Sequence, residues 1–194
     1  MERLEPRYAA FLGTVIQGDL PRPGHVRAVR RGCTRQRGVP PGRRGGQAQP
    51  GAQVVERELG LFEFHSFNRA DVQAAGRAVL AEIGLQEHDR ILPRITTMRL
   101  ITAVDAYQAQ LLNRLRRGTT LVPGQSLPVV ECAPAAYVNL LANETEKAAR
   151  VDLIHASGLG RYGRLWLSGK ESAVEAASRA IETTISSLNQ GENA

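Results

Sequence analysis

Gly158-x-Gly160-x-x-Gly163 is the most chemically suggestive spacing in this 194-residue chain. Where such glycines open a helix, they let the backbone close around a pyrophosphate held at the helix N-terminus. Here a strand-like run follows, Arg164-Leu165-Trp166-Leu167, so the pattern predicts a tight turn between strands rather than a nucleotide cradle. The other reactive side chains are scattered. His25, His65, His88 and His155 show no HxxxH spacing, and Cys33 and Cys132 form no CxxC, so no metal site is expected. Cys132 lies in an apolar run and reads as a small buried hydrophobe, whereas Cys33 stands in a polar stretch. No serine has a GxSxG setting, and no carboxylate pair is spaced for acid–base work. The residues therefore predict a non-enzyme, with no catalytic group, metal or cofactor.

Charge gives a second lead and then limits it. The chain carries 25 Lys plus Arg against 19 Asp plus Glu, a net +6. Eight arginines fall between Leu20 and Val55 (22, 27, 30, 31, 35, 37, 43 and 44), and that stretch has no acid. Without them the balance is 17 against 19, or −2. The basic character belongs to one segment, so nucleic acid is not expected as a partner of the whole surface. RNA binding through Arg22–Arg44 by phosphate contact is an alternative function, and it would be non-specific and salt-sensitive. The 42% hydrophobic and 23% charged content is that of a globular protein of one large or two small domains. Two cysteines are too few for a disulfide scaffold, and no run approaches the ~20 apolar residues of a membrane helix. Met1-Glu2-Arg3-Leu4-Glu5 does not begin a signal peptide, so the expected setting is the reducing cytoplasm, with no membrane partner.

Apolar periodicity outlines the elements that must position these residues. Tyr8 to Ile16 reads as a helix ended by Leu20-Pro21-Arg22-Pro23-Gly24. Val54-Val55 and Leu59 to His65 read as strands around a turn, with Phe62 and Phe64 on one face. Asn68 caps a helix with Val72, Ala75, Val79 and Ile83 along one stripe. Ile95 to Thr102 predicts a strand, and Asp105 to Arg117 a helix ended by Gly118. After a turn at Val122-Pro123-Gly124-Gln125, strand Leu127–Cys132 leads to a helix over Pro134–Ala149, its proline in the first turn. Strands Val151–Ala156 and Gly163–Leu167 precede a closing helix, Glu171–Leu188, with Val174, Ala177, Ile181 and Ile185 on one face. Alternating strands and helices give an α/β (α+β) class.

The halves repeat. A shift of 100 superposes Ala9, Leu12, Gly18 and Pro23-Gly24 on Ala109, Leu112, Gly118 and Pro123-Gly124. A shift of 102 superposes Val72-Gln73-Ala74-Ala75 on Val174-Glu175-Ala176-Ala177, and Arg77-Ala78-Val79 on Arg179-Ala180-Ile181. Tandem domains at 1–89 and 90–194 follow. Arg27–Gln53 falls where the second copy has a strand and a helix, yet 16 of its 27 residues are Arg, Gly or Pro. Residues 26–53 are therefore expected to be disordered and the first domain incomplete. Two origins stay open for that segment: a local reading-frame shift in a GC-rich gene, or a genuine basic insertion.

The second copy, Ser126 to Leu188, resembles the bacterial microcompartment shell domain. The resemblance rests on Leu127-Pro128-Val129-Val130-Glu131-Cys132 with Ala133-Pro134-Ala135-Ala136-Tyr137, on Asn143-Glu144-Thr145-Glu146-Lys147, on Gly158 to Gly163 with Arg164-Leu165-Trp166-Leu167, and on Ser172 to Ala177. With the repeat, the chain is similar to tandem two-domain shell proteins, whose ferredoxin-like domains are small sheets flanked by helices on one side. That resemblance implies a homotrimer imitating a hexameric tile, packed against other shell proteins in the bacterial cytoplasm, with a central pore for small metabolites. It implies pore positions at Gly158, Leu159, Gly160, Arg161 and Tyr162, and in the first copy at Glu58, Leu59 and Gly60. It places Lys147 and Asn143 at the tile edge. The first domain's edge lysine is not found in the aberrant segment. A ferredoxin-like ligand-binding or regulatory protein is the other alternative.

Overall fold

The computed structural model describes residues 2–3, 26–33, 48–56 and 59–190. The predicted helix at Tyr8–Ile16 lies outside them. The chain divides into two compact units, Met1–Ile91 and Leu92–Ala194. In the first, β1 (Glu2–Arg3), β2 (Val26–Cys33), β3 (Gln49–Glu56) and β4 (Leu59–Ser66) form an antiparallel sheet, followed by α1 (Arg69–Glu82). In the second come β5 (Arg94–Ile101), α2 (Ala106–Asn113), β6 (Leu127–Ala133), α3 (Val138–Ala148), β7 (Asp152–Ser157), β8 (Gly163–Ser168) and α4 (Glu171–Gln190).

The strand orders correspond, β1-β2-β4-β3 in one sheet and β5-β6-β8-β7 in the other. A finer feature repeats as well. β3 has a bulge between Pro50 and Ala52, opposite Phe64 and Glu63, and β7 has one between Leu153 and His155, opposite Leu167 and Trp166. Aligned on the bulge, Phe64 matches Leu167, an offset of 103; the helices that follow start at Arg69 and Glu171, an offset of 102. A bulge is a costly local irregularity, so finding it at one place in both sheets argues for duplication.

The expectation of disorder across residues 26–53 is corrected where the structure describes them. Val26–Cys33 and Gln49–Glu56 are strands, paired with opposite sides of β4. Composition misled because these ladders are held by backbone N–H and C=O groups, which every residue but proline offers in full. Residues 34–47 lie outside the described set.

Asn68 caps α1 as expected, its side chain accepting from the Ala70 N–H at 3.0 Å. α1 buries Val72 against Phe64, while Ile83, at the helix end, is 47% exposed. The closing stripe of Val174, Ala177, Ile181 and Ile185 is buried throughout. Asp105 caps α2, accepting from the Tyr107 and Gln108 N–H groups. That helix stops at Asn113, before the predicted end, because the Asn113 side chain turns the chain back through two hydrogen bonds to the Leu121 backbone. Gly118 serves close packing rather than termination: a Cβ there would collide with the Leu153 carbonyl. Pro134 precedes a short 3-10 turn over Ala135–Tyr137, so α3 starts four residues later than predicted.

The second sheet carries helices on both faces, not on one. Trp166 packs with Ala109 of α2, together with Val104, Leu121, Leu127 and Ile154. Gly163, of opposite parity along β8, faces α3: an added Cβ would lie 2.5 Å from Val138 Cγ2. Leu165 and Leu167 share that second face and are fully buried. Each contributes about 1.5–3 kcal/mol on burial.

Candidate functional site

β7 separates the two places where the sequence puts functional residues. α3 begins beside the β7–β8 loop, where Gly158 approaches Asn139 so closely that a Cβ would meet its side-chain nitrogen at 2.5 Å. α3 ends at Ala148, next to the start of β7. The loop 158–162 and the Lys147 end of α3 thus lie at opposite ends of a six-residue strand, about 20 Å apart at ~3.3 Å per residue.

The loop joins two strands, as its glycine spacing predicts. Gly160 takes φ +77°, a left-handed conformation that glycine adopts without penalty. Beyond it, Arg161 and Tyr162 are both exposed, and the Arg161 guanidinium lies 5.5 Å from the centre of the Tyr162 ring. That stacking holds the positive charge at the loop tip. At the loop base, Arg164 donates through Nε and a terminal nitrogen to Glu131 Oε1 at 2.9 and 2.7 Å, across the β6–β8 pairing. Arg164 is thereby balanced, and Arg161 supplies the loop's positive field.

In the first unit the corresponding turn is shorter. The ladder runs to its last pair, Glu56 opposite Leu59, so Leu59 and Gly60 are strand residues rather than loop residues. Glu58 lies outside the described residues. Behind that turn is a pair the sequence reading missed: Glu63 and His65, both 0% exposed, with His65 Nδ1 3.1 Å from Glu63 Oε1. Strand alternation held the signal, because two ionisable residues share the face opposite Phe62 and Phe64.

At the other end of β7, Lys147 reaches Glu144 Oε1 at 2.8 Å across one helical turn. Asn143, four residues earlier, is 2% exposed, so within the chain it belongs to the interior of the helix end rather than to the open surface. Cys132 is buried as expected; burial pushes its thiol pKa up to about 12, so no reactive thiolate forms. Among the described residues no cluster of His, Cys, Asp or Glu could hold a metal, and no helix is long and apolar enough to cross a membrane.

Comparison with known proteins gives this geometry a context. Residues 1–89 match the family model of the CsoS1D N-terminal domain. The whole chain is 40% identical to the carboxysome shell protein CcmP of Synechococcus elongatus, covering 92% of that protein. Over 97% of its length it is 34% identical to the carboxysome shell protein CsoS1D of Hydrogenovibrio crunogenus, covering 94% of it. Among solved structures, the fused permuted hexameric shell protein MSM0275 of the RMM microcompartment matches with a TM-score of 0.86 at 32% identity, over 97% of this chain and 94% of that one. The double ringed trimeric shell protein MSM0271 of the same microcompartment gives 0.86 at 31%, over 97% and 93%. These likenesses support the shell reading over the ligand-binding and RNA-binding alternatives. The chain belongs to the tandem-domain shell proteins of bacterial microcompartments, and it is a structural component of such a shell.

Proposed function

We propose that the chain assembles as a homotrimer in which the domains at 1–89 and 90–194 alternate around an axis and imitate a hexameric tile. Such tiles abut one another and related shell proteins around enclosed enzymes, within the bacterial cytoplasm. The chain carries out no reaction of its own. The observation that carries this reading is the duplicated sheet, with one strand order and one bulge position in both units. Two equivalent modules per chain let three chains present six equivalent seats. The solved relative MSM0271 is itself trimeric, which supports the same state here.

In this arrangement loop 158–162 and the β3–β4 turn, with Glu58, Leu59 and Gly60, surround the axis. Three copies of Arg161 then give a pore field that favours small anionic metabolites. Lys147, at the far end of β7, meets the neighbouring tile, and the buried Asn143 holds the helix end that presents it.

Negative-stain microscopy and native mass spectrometry of the Lys147→Ala chain test the reading. The trimer mass should persist while extended layers are lost. A variant that layers like the parent removes Lys147 from the edge, and one that falls to monomers moves it into the trimer contact.

A further inference from the structure

α1 and α4 are the same helix in two copies, and their outer stripes have diverged in charge. At the offset of 102, Glu171, Glu175, Arg179 and Glu182 of α4 correspond to Arg69, Gln73, Arg77 and Leu80 of α1. Only the arginine is common to both, and these four positions sum to a net −2 on α4 and +2 on α1. At 100° per residue, positions 171, 175 and 182 fall within a 40° arc, and all three carboxylates are exposed. On α4, Arg179 lies 3.8 Å from Glu175. On α1, Arg77 has glutamine four residues earlier and no ion pair among the described residues.

The α1 stripe is also one wall of a groove. Arg69, Gln73, Arg77 and Leu80 line a space of ≈ 680 Å³, closed on the other side by the turn at Gly84, Leu85 and Gln86. Leu85 and the adjacent Ile83 are 44% and 47% exposed. With Glu87 at its end and Leu80, Ala81 and Leu85 between, the groove carries two cations against one acid, a net positive lining suited to something acidic and helical.

We propose that this groove receives the Glu171–Glu175–Glu182 face of α4 from a second copy of the chain. The occupant is chosen by complementarity: the net positive stripe of α1 faces a groove, and α4 carries three exposed acids on a narrow arc of like spacing. The contact is independent of the edge role given to Lys147, which lies on α3. Groove and acidic face are different patches of one chain, so the contact between copies is heterologous.

Charge exchange tests this on the full chain. Arg69→Glu with Arg77→Glu sets like charges against α4 of another copy; Glu171→Arg with Glu175→Arg does the same from the other side. Each variant should raise the dissociation constant of self-association by about tenfold or more, read by sedimentation or mass photometry. Mixing the two variants, or placing all four changes in one chain, should restore association, which shows that the loss does not come from misfolding. In about 1 M salt, where the screening length is about 3 Å, the parent should lose the contribution as well. Unchanged assembly of both variants overturns the proposal, and so does failure of the mixture to recover. Retained self-association with loss of binding to an acidic helix of another protein assigns the groove to that partner and overturns the second-copy contact.

Discussion

The two sheets share a frame and differ in what they bury on the face away from α1 and α4. Aligned on the bulge, Glu63 and His65 of the first sheet stand where the second has Trp166 and Ser168, and all four are buried. Trp166 sits in an apolar cluster with α2 and lies 5.1 Å, ring to ring, from His155. The first unit thus uses a hydrogen-bonded polar pair where its twin uses an aromatic ring. The opposite face shows no such divergence: Phe62 and Phe64 match Leu165 and Leu167. Duplication has kept the helix-facing core apolar and left the other face free to change, a pattern expected if that face serves different surroundings in the two units.

Breaking the conserved face should have the largest effect. Leu165→Ala removes a fully buried side chain from the second unit and should cost about 2–5 kcal/mol in urea denaturation. A cost below about 1 kcal/mol would show that the face is loosely packed.

The polar pair comes next and separates the two units. His65→Ala removes the hydrogen bond to Glu63 at a fully buried position and should destabilise the first unit by about 1–3 kcal/mol. Replacing both residues by leucine should cost less than the single change, because the hydrogen bond between them is then removed from both sides at once. If the double variant is the worse of the two, the pair contributes through partners beyond one another.

The smallest effect sharpens the contrast from the second unit. Burial above all, then the charges of Arg117 and Arg164, lowers the His155 pKa from its usual 6.5. The unfolded chain therefore takes up a proton at a higher pH than the folded one. Stability from this group is complete above about pH 6.5 and falls as the pH drops below it. His155→Gln should flatten the decline in melting temperature between about pH 7 and about pH 5. An unchanged slope would place the acid sensitivity elsewhere.

How much of this was legible depended on the kind of force involved. The stripe at Val174, Ala177, Ile181 and Ile185, the cap at Asn68 and the turn at Gly160 are local patterns, and the sequence shows them directly. β2 was hidden because its strand character comes from pairing with β4, while its arginine-rich composition argues against burial. The early stop of α2 was hidden for a related reason: Asn113 acts on Leu121, eight residues away. Of the candidate site, the turn of loop 158–162 was readable from its glycine spacing, whereas the edge role of Lys147 rests on the family resemblance alone. The Arg161–Tyr162 stacking and the Glu131–Arg164 pair needed coordinates, since one depends on rotamers and the other on register.

The shared bulge also carries a historical consequence. A kink at one position in both halves is what doubling of a half-length module with a bent edge strand would leave behind. A single module repeated gives every copy one sequence, whereas two modules in one chain are free to carry opposite charges on the corresponding helices α1 and α4.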